Sequence, residues 1–186
     1  HDLADKLGIP EGALVAATVG HGTVAIDAVL GRLFPAIGAL GEVMALTRNR
    51  SCVIEKVGTY NDFHDGDHAA MVLDADIDMR MFPKYWRHAF AVEKQTADGP
   101  RRSIQVFDAT GTATHKVHLR PGSDLDAWQA LIRDLALPEQ VDRIAFEPRA
   151  PVEGAILAPA RADTLREEWA KMTDTHQFNT LVRRLK

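Results

Sequence analysis

The sequence predicts an α+β fold, a large antiparallel β-sheet with flanking helices. Two changes of hydrophobic period carry that expectation. Apolar residues recur at helical spacing in the first part of the chain, alternate between Glu42 and Leu119, and return to helical spacing after Ser123. Polar turn residues separate the alternating runs, which gives a meander of about six strands.

Residues 2–19 divide into two short helices. Leu3, Lys6 and Leu7 fit the first; Leu14, Val15 and Val19 fit the second, with Pro10 suited to its first turn. TVAI (23–26) reads as a short strand. Asp27 is expected to cap a helix to about Leu40 whose apolar side is Leu30, Leu33, Phe34, Ile37 and Leu40, bent or shortened by Pro35. EVMALTRN and SCVIEKVGTY form two strands about a turn at Asn49-Arg50-Ser51, and NDFHDGDH forms a loop.

Residues 69–82 alternate and read as one strand. Ala75, Ile77, Met79 and Met81 face one way; Asp74, Asp76, Asp78, Arg80 and Phe82 face the other. WRHAFAVEKQ is a further strand, and RRSIQVFD with TATHKVHL makes a hairpin about Asp108–Gly111. Ser123 or Asp124 starts a helix that buries Leu125, Trp128, Leu131, Ile132 and Leu135. Residues 138–162 hold Pro138, Pro148, Pro151 and Pro159 and read as a linker with a short strand at 141–147. Asp163 caps a helix to about Lys171, and a last helix begins near Thr175.

Composition narrows the function classes. The 186 residues are 46% apolar and 26% charged, ordinary for a globular domain, and the net charge of −4 argues against a nucleic-acid partner. Cys52 is the only cysteine, which excludes an intramolecular disulfide and fits a reducing compartment. No apolar run approaches the roughly 18 residues of a membrane span, and no signal-peptide pattern opens the chain, which begins at His1; the cytoplasm is the expected location. P-loop, GxGxxG, HExxH and GxSxG motifs are absent.

Several polar groups need weighing. Asp62, His64, Asp65, Asp67 and His68 are metal-ligating types close together; the plainer reading is a solvated acidic loop turning at Asp65-Gly66. His115 and His118 stand three apart on one strand, so they point to opposite faces and are expected at the surface or an edge. Cys52, beside Val53 and Ile54, is expected to be buried. Arg80 ends a strand face of aspartates, and the plain expectation is a salt bridge to Asp78 or a neighbour.

The last helix places Phe178, Leu181, Val182 and Leu185 on one side and His176, Asn179, Thr180 and Arg183 on the other. Arg183 and Arg184 lie roughly 10–12 Å along the axis from His176. An imidazole and a guanidinium so spaced suit a flat ligand with a metal at one end and a carboxylate at the other. The alternative is a solvated helix face.

Four stretches carry a resemblance: LGEVMALTRNRSCVIEKVGTY (40–60), DIDMRMFPKYWRHAFAVE (76–93), RRSIQVFDATGTATHKVHL (101–119) and EWAKMTDTHQFNTLVRRL (168–185). In this order they resemble the HemS/ChuS-type bacterial haem-utilisation proteins, over nearly the whole chain. The resemblance implies a cytoplasmic protein that accepts haem after import and passes it on, with ring opening and iron release in some members. It implies two tandem halves, of which residues 1–150 match the first and 151–186 lead toward a second that this chain lacks.

It also implies ferric haem b as ligand or substrate. The histidine of T-D-x-H-Q-F, His176 here, is the axial ligand, and the arginine of D-I-D-x-R, Arg80, reaches the other haem face. With haem so held, Phe82, on the strand face of Arg80, is expected to pack on the porphyrin, and Arg183 or Arg184 to pair with a propionate. A haem importer or a downstream haem oxygenase is the implied protein partner. Asn179, where the family commonly has an aromatic, and Pro83 depart from the pattern and touch neither ligand position. Two alternatives stand beside this reading: an interaction half-domain that binds no haem alone, and a single-repeat carrier of the ChuX/HutX type.

Overall fold

The computed structural model describes residues 2–49, 51–151, 159–174 and 177–185. They form two compact units, residues 1–149 and 150–186.

The first unit opens with helices α1 (Asp2–Leu7) and α2 (Glu11–Ala16), strand β1 (Thr23–Ile26) and helix α3 (Leu30–Gly38). α3 starts later than expected because Asp27 is used elsewhere. Its Oδ1 accepts from the Val29 N–H and its Oδ2 holds Arg32, so it braces the loop before the helix. The apolar stripe is as read, with Leu30, Leu33, Phe34, Ile37 and Leu40 all buried, and Pro35 does not end the helix.

Strands β2 (Val43–Arg48) and β3 (Val53–Gly58) form a hairpin. At its turn Asn49 Oδ1 accepts from the N–H groups of Ser51 and Cys52; Arg50 lies outside the described residues. Cys52 is exposed, not buried, because β3 is an edge strand whose residues up to Val57 are exposed.

Strands β7 (His88–Thr96), β8 (Gly99–Phe107) and β9 (Ala113–Leu119) complete an antiparallel sheet of order β1-β7-β8-β9-β2-β3. Helix α4 (Leu125–Leu135) is capped by Asp124, whose side chain accepts from the Ala127 N–H. It buries Trp128, Leu131 and Leu135, while Leu125 in its first turn is exposed, contrary to expectation. Residues 141–147 form no strand. They still pack on the first unit, with Glu147 N–H donating to the Ala109 carbonyl and Phe146 edge-on to His88.

Residues 62–82 depart most from the reading. The expected loop contains β4 (Phe63–His64), and the expected single strand is two, β5 (Ala70–Leu73) and β6 (Asp78–Met81), which pair with it in a second sheet, β4-β5-β6. Asp74 makes the turn: its Oδ1 accepts from the Asp76 N–H while its own N–H donates to Ile77 O. The alternation changes parity across the turn: Ala70 and Val72 are buried before it, Ile77 and Met81 after it.

One core lies on one face of the large sheet. α3, α4 and the inner side of the small sheet meet there through Phe34, Trp128, Leu131, Val72, Ile77 and Met81. Phe34 stacks on Phe63 of β4 at 5.2 Å and meets Tyr60 and Trp86 edge-on or tilted, so one ring ties helix and both sheets together. A smaller cluster under α2 holds Ala16, Val19, Phe90 and Phe107. Gly58, at the end of β3, sits where a Cβ would lie 2.8 Å from that of Asp76, so the β5–β6 turn approaches the large sheet closely.

His115 is buried, not at the surface. Its Nε2 is 2.6 Å from Tyr60 Oη and its Nδ1 2.8 Å from Thr47 Oγ1, which satisfies both ring nitrogens. Burial, with a small contribution from His118, pushes its pKa down to about 4, and burial pushes the Tyr60 phenol up.

In the second unit, α5 (Ala162–Ala170) and α6 (Gln177–Leu185) meet through Trp169 and Phe178, ring centroids 5.2 Å apart. Asp163 is in the first turn of α5, paired with Arg166, and is not its cap.

Candidate functional site

The small sheet divides its residues by register. Phe63, Val72 and Met79 pair across the strands on the inner side, and His64, Met71 and Arg80 pair as the neighbouring row on the outer side. Arg80 is exposed on that outer row. Phe82 follows it with extended backbone (φ −112°, ψ 108°), which carries its side chain to the same side, and it is 44% exposed. Leu73, paired with Asp78, is 46% exposed on this face.

Arg80 does not pair with Asp78. Its Nη2 donates to Met71 Sδ at 3.6 Å, and among the described residues it has no carboxylate partner. The turn keeps two further aspartates from it. Asp74 and Asp76 leave the strand and are used elsewhere, Asp74 accepting from Asn61 Nδ2 at 2.8 Å and Asp76 facing Lys56 Nζ at 3.1 Å. The hydrogen bond from Asn61 holds the Asp74 carboxyl below its ordinary range. A cation with no carboxylate partner among the described residues, sharing its face with Asp78 and with exposed Leu73 and Phe82, suits a flat ligand with an apolar body and acidic or oxygen-bearing groups.

The acidic loop does not gather into a metal site among the described residues. His64 Nε2 lies 3.0 Å from Asp62 Oδ1, both half-exposed, and Asp65 Oδ1 accepts from the Gly66 N–H at the expected turn.

On α6, Leu181 is buried and Leu185 half-buried, while Phe178 and Val182 of the same apolar side are exposed, as are Asn179, Thr180 and Arg183 opposite. Arg184 is ion-paired with Glu168, which also accepts from Lys171; Lys171 first and Arg184 second hold the Glu168 carboxyl below its ordinary range. Arg183 has no carboxylate partner among the described residues. His176 lies outside the described residues.

Two polar features escaped the sequence reading. Met71 as the partner of Arg80 was hidden by taking residues 69–82 as one strand; the Asp74-Ala75-Asp76 turn chemistry was the signal. Arg87 and His88 line a cavity of about 290 Å³ with Ile26, Val29, Trp86 and Phe90, and burial, then Arg87, holds the His88 imidazole below its ordinary pKa. Among the described residues no helix is long and apolar enough to cross a membrane.

Residues 8–135 match the family model described as the haemin-degrading HemS.ChuX domain. The hemin transport protein HmuS of Yersinia pestis is 38% identical over 98% of this chain and 53% of its own. The crystal structure of holo-PhuS, a heme-binding protein from Pseudomonas aeruginosa, superposes with a TM-score of 0.85 at 43% identity, over 97% of this chain and 53% of that one. The structure of ChuS, an E. coli heme oxygenase, does so with a TM-score of 0.76 at 32% identity, over 98% and 54%. The chain therefore spans about half the length of the relatives it matches. With the antiparallel architecture and the motif order in agreement, it belongs to the haemin-degrading HemS/ChuX domain family.

Proposed function

We propose that this chain forms one wall of a haem-binding site and serves haemin utilisation for iron acquisition. The observation that carries the reading is Arg80: a guanidinium with no carboxylate partner among the described residues, on one face with exposed Leu73 and Phe82, in the D-I-D-x-R strand of a chain similar to the heme-binding protein PhuS.

Haem fits this face by chemistry. Phe82 and Leu73 offer apolar contact to the ring, and Arg80 offers a cation to oxygen on its distal side. His176 supplies the axial imidazole from the residue before α6, as a neutral ring. Arg183 pairs with a propionate more readily than Arg184, which must first leave Glu168. The cargo is ferric haem b, received in the cytoplasm from an importer and handed to a downstream oxygenase or opened in place. Ring opening would draw on haem, O₂ and an external reductant; the chain supplies position and polarity.

A hemin titration of the full chain tests this. The wild type is expected to give a histidine-type Soret spectrum that His176→Ala loses. An unchanged spectrum in the variant removes His176 as ligand. Absence of binding by the wild type favours an interaction module instead.

A further inference from the structure

The deliberate pairing on the outer row points to a second residue at the Arg80 site. We infer that Met71 is a positioning residue for Arg80: its thioether holds the guanidinium over the small sheet, so that the cation faces a ligand lying on that face. The inference rests on the haem reading above.

Three observations support it. Met71 and Arg80 are direct cross-strand partners in register, so their side chains leave the sheet side by side. The guanidinium Nη2 donates to Met71 Sδ at 3.6 Å, and no carboxylate among the described residues competes for it. Asp74 and Asp76 are drawn off by Asn61 and Lys56, and Asp78, beside Arg80 on the same face, makes no ion pair with it.

The choice of a thioether has a physical consequence. A carboxylate opposite Arg80 would neutralise it and compete with an incoming anion or bound oxygen. Sulfur is a weak, polarizable acceptor that directs the guanidinium without cancelling its charge. Met71 is half-buried and belongs to the strand, so it offers a fixed point for a long and otherwise free side chain.

The carbonyl stretch of the ferrous-CO hemin complex reads this directly. A positive group near the CO oxygen lowers the stretching frequency, and a structural role for Met71 would leave it unmoved. Wild type, Met71→Leu, Arg80→Ala and the double variant would be compared, Met71→Leu being close to volume-conserving and expected to fold. The expected result is an upward shift for Arg80→Ala, a shift of the same sign for Met71→Leu, and no further shift from Met71→Leu once Arg80 is gone. Hemin dissociation constants give an independent cycle, with a loss of about tenfold for Arg80→Ala and roughly threefold for Met71→Leu, non-additive in the double variant.

An unmoved stretch and additive affinities for Met71→Leu, beside a clear Arg80→Ala effect, overturn the positioning role alone. A silent Arg80→Ala overturns the placement of Arg80 and with it the role of Met71. If the wild type binds no hemin, the functional reading itself fails and this inference with it.

Discussion

In the large sheet, His115 is sealed between Tyr60, Thr47 and Trp86, with both ring nitrogens occupied. In the small sheet, Arg80 stands exposed with a thioether as its polar partner. Each is a polar residue in an alternating strand, and alternation alone assigned them the wrong way round: His115 to the surface, Arg80 to a salt bridge. What separates them is what covers the strand. The His115 side of β9 lies under the α3–α4 layer and the small sheet, where an unpaired polar group is costly. The outer side of β6 leaves Arg80 in solvent, where a cation needs no partner. His115 in the first setting is satisfied for stability; Arg80 in the second remains available.

The comparison can be broken at several strengths. Phe34→Ala removes the ring that joins α3 to both sheets, and the expected loss is about 3–5 kcal/mol in urea unfolding. A loss below about 1 kcal/mol would mean that the small sheet does not lean on this core.

His115 gives the next effect, through pH. Its pKa is about 4 in the folded chain against 6.5 for a free imidazole. Above the free value both states are neutral and stability is full. As pH falls from 6.5 toward 4 the unfolded chain gains a proton that the native chain refuses, so stability declines, by roughly 3 kcal/mol in all. His88 and His118 are depressed as well and add to the slope in the same direction. His115→Phe should flatten the stability–pH curve relative to wild type; an identical slope would place the burden on the other histidines.

Arg80→Ala gives the smallest effect on folding, within about 0.5 kcal/mol. Thermal melts without hemin should superpose on wild type. A marked drop in Tm would show that Arg80 holds the fold together.

Much of this was legible in the sequence because long periodic stretches report the faces that burial imposes. The α3 stripe, the α4 residues Trp128, Leu131 and Leu135, and the β8–β9 hairpin stand where the periods put them. Failures came where an alternating run holds a turn at which the buried parity changes, as at Asp74–Ile77, and where burial depends on position in the sheet. Cys52 reads as a small apolar residue in an apolar run, yet it precedes an edge strand whose residues Val53 to Val57 are exposed. For the site, Arg80 was put forward by its motif and Phe82 by its place on the same strand face, and both are exposed; Met71 required the hairpin to be known.

The edge position of Cys52 has a practical side. It is the only cysteine in the sequence, and it is exposed. A maleimide fluorophore would therefore attach at one place without any change to the chain. Haem absorbs strongly through the visible range, so its arrival would darken such a dye by energy transfer. The bare rim of the sheet thus doubles as an anchorage for an optical gauge of cargo loading, one that works at concentrations too low for the absorbance of haem itself.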